Sequence, residues 1–307
     1  MAEITALLVK ALREKSGAGM MDCKHALTEN NGDMDASVDW LRKKGLAAAA
    51  KKAGRIAAEG LVAVATEENV GAVIEVNSET DFIARNPDFQ SFVGKIASTA
   101  LRFSGDYNRT LAGEIDASNS VEEAVSSMVG AIGENITFRR SRGISVKHGV
   151  VASYVHGAAA PDMGSIGVLI GLESTADETT LSTFGRQLAM HVAASSPLWV
   201  SQSDVDSEAI DREREVLSAQ ARDSGKPEEI VEKMVDGRMR KYFEEVCLLE
   251  QIFVIDGETK VAKALATVEA DAGVAIKITD FVRFQIGEGV EREETDFAAE
   301  VVATAAS

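Results

Sequence analysis

The hydrophobic period changes part-way along this chain, and the same change then recurs. Gly60-Leu61-Val62-Ala63-Val64-Ala65 and Gly71-Ala72-Val73-Ile74-Glu75-Val76 are β-leaning runs on either side of a short acidic turn containing Asn69. A helical spacing follows through Phe89, Phe92, Val93, Ile96 and Ala100. The order returns as Val150-Val151-Ala152-Ser153-Tyr154-Val155, a loop bearing glycine and proline, Ile166-Gly167-Val168-Leu169-Ile170, and a helix from Phe184 through Leu188 to Ala194. The second strands leave similarly, through Asn77-Ser78-Glu79-Thr80-Asp81 and Glu173-Ser174-Thr175-Ala176-Asp177. A duplicated hairpin-plus-helix unit predicts an α+β core of two related halves.

Helical segments flank and interrupt that core. Ile4, Leu7, Leu8, Ala11 and Leu12 share a helical face, Ser16-Gly17-Ala18-Gly19 breaks it, a second helix runs over about 21–29, and a third carries Met34, Val38 and Leu41. So small a bundle buries little and reads as a docking module. Residues 46–52, rich in alanine and lysine, extend as a helical tether toward the main body. Within the second repeat, Ile210, Val216, Leu217 and Ala221 precede the turn Asp223-Ser224-Gly225-Lys226-Pro227, and Ile230, Val231, Met234, Val235, Met239 and Tyr242 follow it. This predicts an inserted antiparallel helical hairpin whose apolar stripe packs on itself, on a partner, or on a second copy.

Composition narrows the function classes. With 307 residues and 45% hydrophobic content the chain has material for two or three modules with real cores. No apolar stretch is long enough to span a bilayer and the amino terminus lacks the pattern of a secretory signal, so a soluble cytoplasmic protein without membrane contact is expected. Cys23 and Cys247 stand far apart and outside any Cys-x-x-Cys pair, which suits a reducing compartment. The net charge of −17 opposes broad nucleic-acid affinity. Charge is uneven: Arg42, Lys43, Lys44, Lys51, Lys52 and Arg55 form a run without an acid, whereas 288–296 is strongly acidic. The basic run has no interleaved aromatic residue and reads as a solvated helical linker in preference to a nucleic-acid patch.

Signatures of covalent chemistry are missing. His25, His148, His156 and His191 are scattered, without metal-ligand spacing, so no metal site is expected. Gly17-Ala18-Gly19 follows a helix and has Asp22 where a dinucleotide fingerprint needs its third glycine. Met163-Gly164-Ser165-Ile166-Gly167 lacks the Gly-x-Ser-x-Gly spacing and reads as a loop entering a strand. No Gly-x-x-x-x-Gly-Lys cradle for phosphates occurs, and no cofactor is implied.

Two segments are hard to explain by packing. Met20 and Met21 are consecutive at a helix start, where both cannot face one core, and methionine suits an adaptable binding surface, although either alone is more often a core residue. In Glu79-Thr80-Asp81-Phe82-Ile83-Ala84-Arg85-Asn86-Pro87 a charged strand exit presents Phe82; Asp81 as a helix cap with Phe82 as its staple is an equal alternative on local pattern.

With these segments, Val76-Asn77-Ser78-Glu79-Thr80-Asp81-Phe82-Ile83-Ala84-Arg85-Asn86, Ile132-Gly133-Glu134-Asn135-Ile136, Ala189-Met190-His191-Val192-Ala193-Ala194-Ser195 and Phe284-Gln285-Ile286-Gly287-Glu288-Gly289 stand in an order that covers essentially the whole chain. The chain thereby resembles the bacterial elongation factor Ts family. The resemblance implies an α+β fold with a ubiquitin-associated-like three-helix domain at 1–54 and core halves at 55–148 and 149–283. It also implies the inserted hairpin at about 203–243 and a short helical module at 284–307. The implied activity is release of GDP from elongation factor Tu, with no covalent chemistry. Thr80, Asp81, Phe82 and Ile83 match the element that disturbs the partner's Mg²⁺ and phosphate-binding parts. Arg13, Met20, Met21 and Lys24 match the amino-terminal docking surface; Ile132, Gly133 and His156 match core contacts; Val254 and Ile255 match a contact with another domain of the partner. An isolated histidine at a strand end such as His156 is as often a structural hydrogen-bonding group.

Two positions depart from the family pattern: His25 stands where lysine is frequent, and Gln251-Ile252-Phe253 where Gln-Pro-Phe is usual. The rival readings are a ubiquitin-associated-type adaptor, which leaves the duplicated core and Phe82 unexplained, and a hydrolase, for which no nucleophile and base are found.

Overall fold

A computed structural model of the protein describes residues 4–16, 18–116, 119–223 and 227–291. Three helices come first: α1 (Ala6–Ser16), α2 (Met20–Glu29) and α3 (Met34–Lys52). The first half of the core is β1 (Glu59–Glu67), β2 (Val70–Ser78), α4 (Pro87–Arg102), α5 (Tyr107–Ala112), α6 (Val121–Ile132) and β3 (Ile136–Ser145). The second is β4 (Gly149–His156), β5 (Met163–Gly164), β6 (Ile166–Glu173), α7 (Glu178–Ser195), the helical pair α8 (Ser207–Arg222) and α9 (Glu228–Val246), then α10 (Val261–Ala272) and β7 (Lys277–Gln285). The α+β class read from the sequence is the class observed.

Each half is an antiparallel hairpin whose second strand takes a third strand on its far side. The sheets run β3-β2-β1-β5 and β4-β6-β7. The two sheets stack face to face, which explains runs such as 61–64 that are buried at every position. Leu61 and Ala63 point to the helices, into a cluster with Phe89, Phe92, Val93, Ile96 and Val129. Val62 and Val64 point the other way, to Val151, Leu169, Val282 and Phe284 of the second sheet. Val168, Ile170 and Leu172 join Leu181, Phe184, Leu188 and Val192 beneath α7. Close approach of the sheets requires Gly71 and Gly167: a Cβ on either would stand 2.6 Å from a valine methyl of the opposite sheet.

The duplication extends to an irregularity. Register shifts occur at Glu75/Val76 in the first half and at Gly171/Leu172 in the second, so that Arg139 and Thr279 are the extra residues of corresponding β-bulges. The third strands, β3 and β7, were not anticipated in the repeat.

The expected tether is helical and does reach the main body, but the solvated linker expected of its basic run is a correction. Helix α3 continues past the small bundle as one 19-residue helix and its second half packs on α6, where a Cβ on Gly130 would come within 3.2 Å of Gly45 Cα. Arg42 pairs with Glu123, Lys44 with Asp22 at 2.6 Å, Lys52 donates to the Gly133 carbonyl, and Arg55 faces Glu79 at 3.4 Å. Most of the basic run therefore has intramolecular partners, leaving Lys43 and Lys51 as its exposed remainder. The hairpin α8–α9 buries Ala221, Val231, Val235 and Met239 within itself, and Val216 and Ile230 stay exposed. Its expected turn lies outside the described residues at 224–226, as does Gly17 of the first helix break. The expected boundary at 283/284 falls inside β7, because Val282 and Phe284 are both needed between the sheets. Residues 286–290 form turns where a helical module was expected; 292–307, including most of the acidic tail, lie outside the described residues.

Candidate functional site

Strand β2 delivers the chain into a single short 3-10 helix, Asp81–Arg85, with Phe82 at its start. Phe82 is 79% exposed and Asp81 is exposed beside it. Helix α4 is capped instead by Asn86, which accepts from the Asp88 and Phe89 amides at 2.8 and 3.3 Å, with Pro87 in its first turn. Asp81 is thus not the cap and Phe82 not the staple. An aromatic ring this exposed has lost the burial expected of phenylalanine, of order 1.5–3 kcal/mol, and needs a reason. Ile83 and Ala84 are half-buried against the first-half core and fasten the turn from behind.

The platform in front joins segments distant in sequence. Helix α6 ends at Gly133, left-handed at φ 89°. Next, Glu134 accepts from the Thr80 amide at 3.0 Å and the Thr80 hydroxyl at 2.7 Å. Glu79 accepts from the Asn135 amide at 2.5 Å, and Asn135 Nδ2 donates to the Arg55 carbonyl at 2.7 Å. Thr80, Asp81 and Phe82 therefore stand beside Ile132 and Gly133: Gly133 is exposed, while Ile132 is half-buried against the core.

A second exposed apolar group forms beside α10. Ile252, Val254 and Ile255 are 50%, 43% and 43% exposed, and Phe253 between them is buried against Phe184 and His191. Buried His191 fixes this loop: its Nδ1 accepts from the Val254 amide at 3.2 Å and its Nε2 contacts Gln251 Oε1 at 2.8 Å. The accepting Nδ1 requires the proton on Nε2, which donates to Gln251. Burial lowers the His191 pKa below 6.5, with the Gln251 bond opposing. Gln251 in turn donates to the Glu245 carbonyl at 2.6 Å, tying the loop to α9. The adjacent Asp256 closes the loop by accepting from the Thr259 hydroxyl and the amides of Thr259 and Glu258, contacts that lower its pKa.

On the small bundle, Met20 and Met21 are both exposed, at 52% and 73%, and Leu7 at 80%. Arg13 and Lys24 are exposed, with no ion pair among the described residues. His156 lies exposed at the end of β4, its Nδ1 3.2 Å from the Tyr154 hydroxyl and its carbonyl accepting from Ser165. Both the contact and the structural reading of His156 thus keep an observation in their favour. Among the described residues no group of three or more His, Cys, Asp or Glu side chains is placed to hold a metal ion, and no helix is long and apolar enough to cross a membrane. Burial pushes the Cys247 thiol up to about 11, with Glu250 and Asp204 adding to it, so it is not an activated nucleophile.

The model of the family described as elongation factor TS matches residues 79–288. Elongation factor Ts of Rhodospirillum rubrum is 59% identical over 305 residues, covering 99% of both chains. Those of Parvibaculum lavamentivorans and Rhodospirillum centenum are 56% and 55% identical over 306 residues, covering 99% of this chain and 99% and 100% of theirs. The chain belongs to the elongation factor Ts family. It is a translation elongation factor.

The family's departures now have local explanations. His25 stacks edge-on against Trp40, with ring centroids 5.1 Å apart, and lies 3.5 Å from Glu29. Ile252 bridges Lys260, but the bonds that close the bridge are donated by the Phe253 and Val261 amides. The backbone course into Val254 therefore does not depend on a proline at 252.

The closing family motif has a structural use that sequence reading did not find. Glu75 is fully buried and accepts from Arg139 at 2.9 Å, Arg140 at 2.5 Å, Asn77 at 3.0 Å and the Gly287 amide at 2.8 Å. Arg140 also stacks on Phe284 at 4.2 Å and reaches Glu288 at 3.2 Å. The visible signal was a glutamate inside an apolar strand, since such a charge is buried only when paired.

Proposed function

We propose that this elongation factor binds the GDP form of elongation factor Tu and promotes GDP release, performing no covalent step of its own. The observation that carries this reading is Phe82, a fully presented aromatic side chain on a turn fastened at both ends. Insertion of such a ring beside the partner's phosphate and Mg²⁺ elements displaces the groups that neutralise the β-phosphate, and GDP then leaves. Asp81 beside it adds a negative charge where phosphate charge must depart. Thr80 and Ile83 supply the two fastenings.

Exchange requires preference as well as contact. The factor must bind the nucleotide-free GTPase more tightly than the loaded one, because a partner shifts an equilibrium only by its differential affinity. Leu7, Met20 and Met21 with Arg13 and Lys24 provide an adaptable apolar surface with free cations for docking. Gly133 and Ile132 extend the wedge contact, His156 adds an exposed polar one, and Val254 with Ile255 grips a separate part of the partner. An adaptor lacking exchange activity would need the small bundle alone and no exposed Phe82.

The test is release of fluorescent GDP from elongation factor Tu with wild type and Phe82→Ala. A centrally placed interface aromatic is worth at least about 2 kcal/mol. The variant should therefore slow release by about thirtyfold or more, with the fold unchanged by circular dichroism. Equal rates would refute the wedge.

A further inference from the structure

Glu134 is half-buried and makes no ion pair among the described residues; both carboxylate oxygens are directed at one residue, Thr80. Oε2 accepts the Thr80 amide at 3.0 Å and Oε1 the Thr80 hydroxyl at 2.7 Å. The exchange is reciprocal, since Glu79 accepts the amide of Asn135, the residue after Glu134, at 2.5 Å. Two acidic side chains thus fasten the end of β2 to the end of α6 directly before the exposed turn.

The turn has other anchors for folding. Gln90 donates to the Ala84 carbonyl at 2.8 Å, Asn86 caps α4, and Ile83 and Ala84 touch the core. None of these lies before Phe82, where the fastening besides Glu134 is the Asn135 amide to Glu79, one residue further from the ring. Without the Glu134 contact, Thr80 would keep only the bond from Ser78 Oγ to its carbonyl, at 3.0 Å. Thr80 and Phe82 would then be held less closely before the encounter, and ordering them there carries an entropic cost.

We infer that Glu134 is a positioning residue for nucleotide exchange: it acts through Thr80 to hold the Asp81-Phe82 turn in the presenting conformation before the partner arrives. This rests on the reading of Phe82 as the wedge. Glu134→Gln should preserve the function, because its amide oxygen can accept the Thr80 amide while its N–H donates to Thr80 Oγ1. Glu134→Ala removes both contacts.

The experiment is stopped-flow release of fluorescent GDP from elongation factor Tu, with wild type, Glu134→Ala, Glu134→Gln, Phe82→Ala and the Phe82→Ala/Glu134→Ala double variant, each checked by thermal melting. Loss of charge-assisted bonds predicts that the maximal release rate of Glu134→Ala falls about tenfold, while the half-saturating concentration moves much less. Glu134→Gln should stay near wild type, and Glu134→Ala should add little once Phe82 is gone. A wild-type maximal rate for Glu134→Ala, equal slowing by alanine and glutamine, or full multiplication of the two losses in the double variant would overturn the inference. If wild type itself fails to accelerate release, or Phe82→Ala is as fast as wild type, the wedge reading falls and this inference with it. Slowing by Phe82→Ala but not by Glu134→Ala removes the inference alone.

Discussion

Replacing Glu75 by glutamine should destabilise the core far more than its single-atom change implies. Oε1 accepts from Arg139, Asn77 and Gly287, and Oε2 from Arg140, so every bond to the carboxylate is received. A glutamine amide nitrogen facing either side sets donor against donor, leaves Arg139 without a carboxylate partner and leaves Arg140 with Glu288 alone. The bulge makes the site possible, because Arg139 is the unpaired extra residue that lets two consecutive arginines reach one carboxylate. Breaking a buried ion pair costs about 3–5 kcal/mol; the arginines retain 28% and 29% exposure, so solvent reduces this to about 2–4 kcal/mol. Urea unfolding followed by circular dichroism measures the loss, and hydrogen exchange at the Gly287 amide reports the local bond. A loss below about 1 kcal/mol with that amide still protected would refute the reasoning.

Protonation of His191 supplies a pH dependence with a definite sign. Its folded pKa lies below 6.5, so the unfolded chain takes the proton first as pH falls; the contribution is complete above 6.5 and is lost as pH drops from 6.5 toward the folded value. Urea midpoints measured across this window should fall in wild type, and this component should vanish in His191→Gln; identical slopes would contradict it. Gly287→Ala places a Cβ 2.2 Å from the Ala58 carbonyl at a φ of +68° and should cost more than about 1 kcal/mol, read by the same urea titration, with an unchanged midpoint as the contrary result.

Legibility followed local physics. The caps at Asp33, Asn86 and Asp177 were not assigned from the sequence, which offered Asp81 instead, but the repeated strand pairs were visible because both faces of β1, β2 and β6 are apolar. The two methionines stood out because one core could not take both, whereas Phe82 stayed balanced on local pattern between a staple and an exposed ring until Asn86 proved to be the cap of α4. Strand β3 was hidden by Arg139, Arg140 and Arg142, which break its alternation and whose partners, Glu75, Glu288 and Asp280, lie far away in sequence. The close crossing of α3 on α6 depends on Gly45 and Gly130, residues that carry no local signal for it. The apolar group at 252–255 needed the fold as well, since only the buried His191–Gln251 contact shows why Phe253 turns inward while its neighbours face out.

The most direct test of the central claim is stopped-flow release of a fluorescent GDP from elongation factor Tu, with excess unlabelled nucleotide, as this protein is titrated in below stoichiometric amounts. The account predicts a release rate that rises with concentration while each molecule turns over many GTPases. Binding without acceleration would contradict it and leave an adaptor in place of an exchange factor.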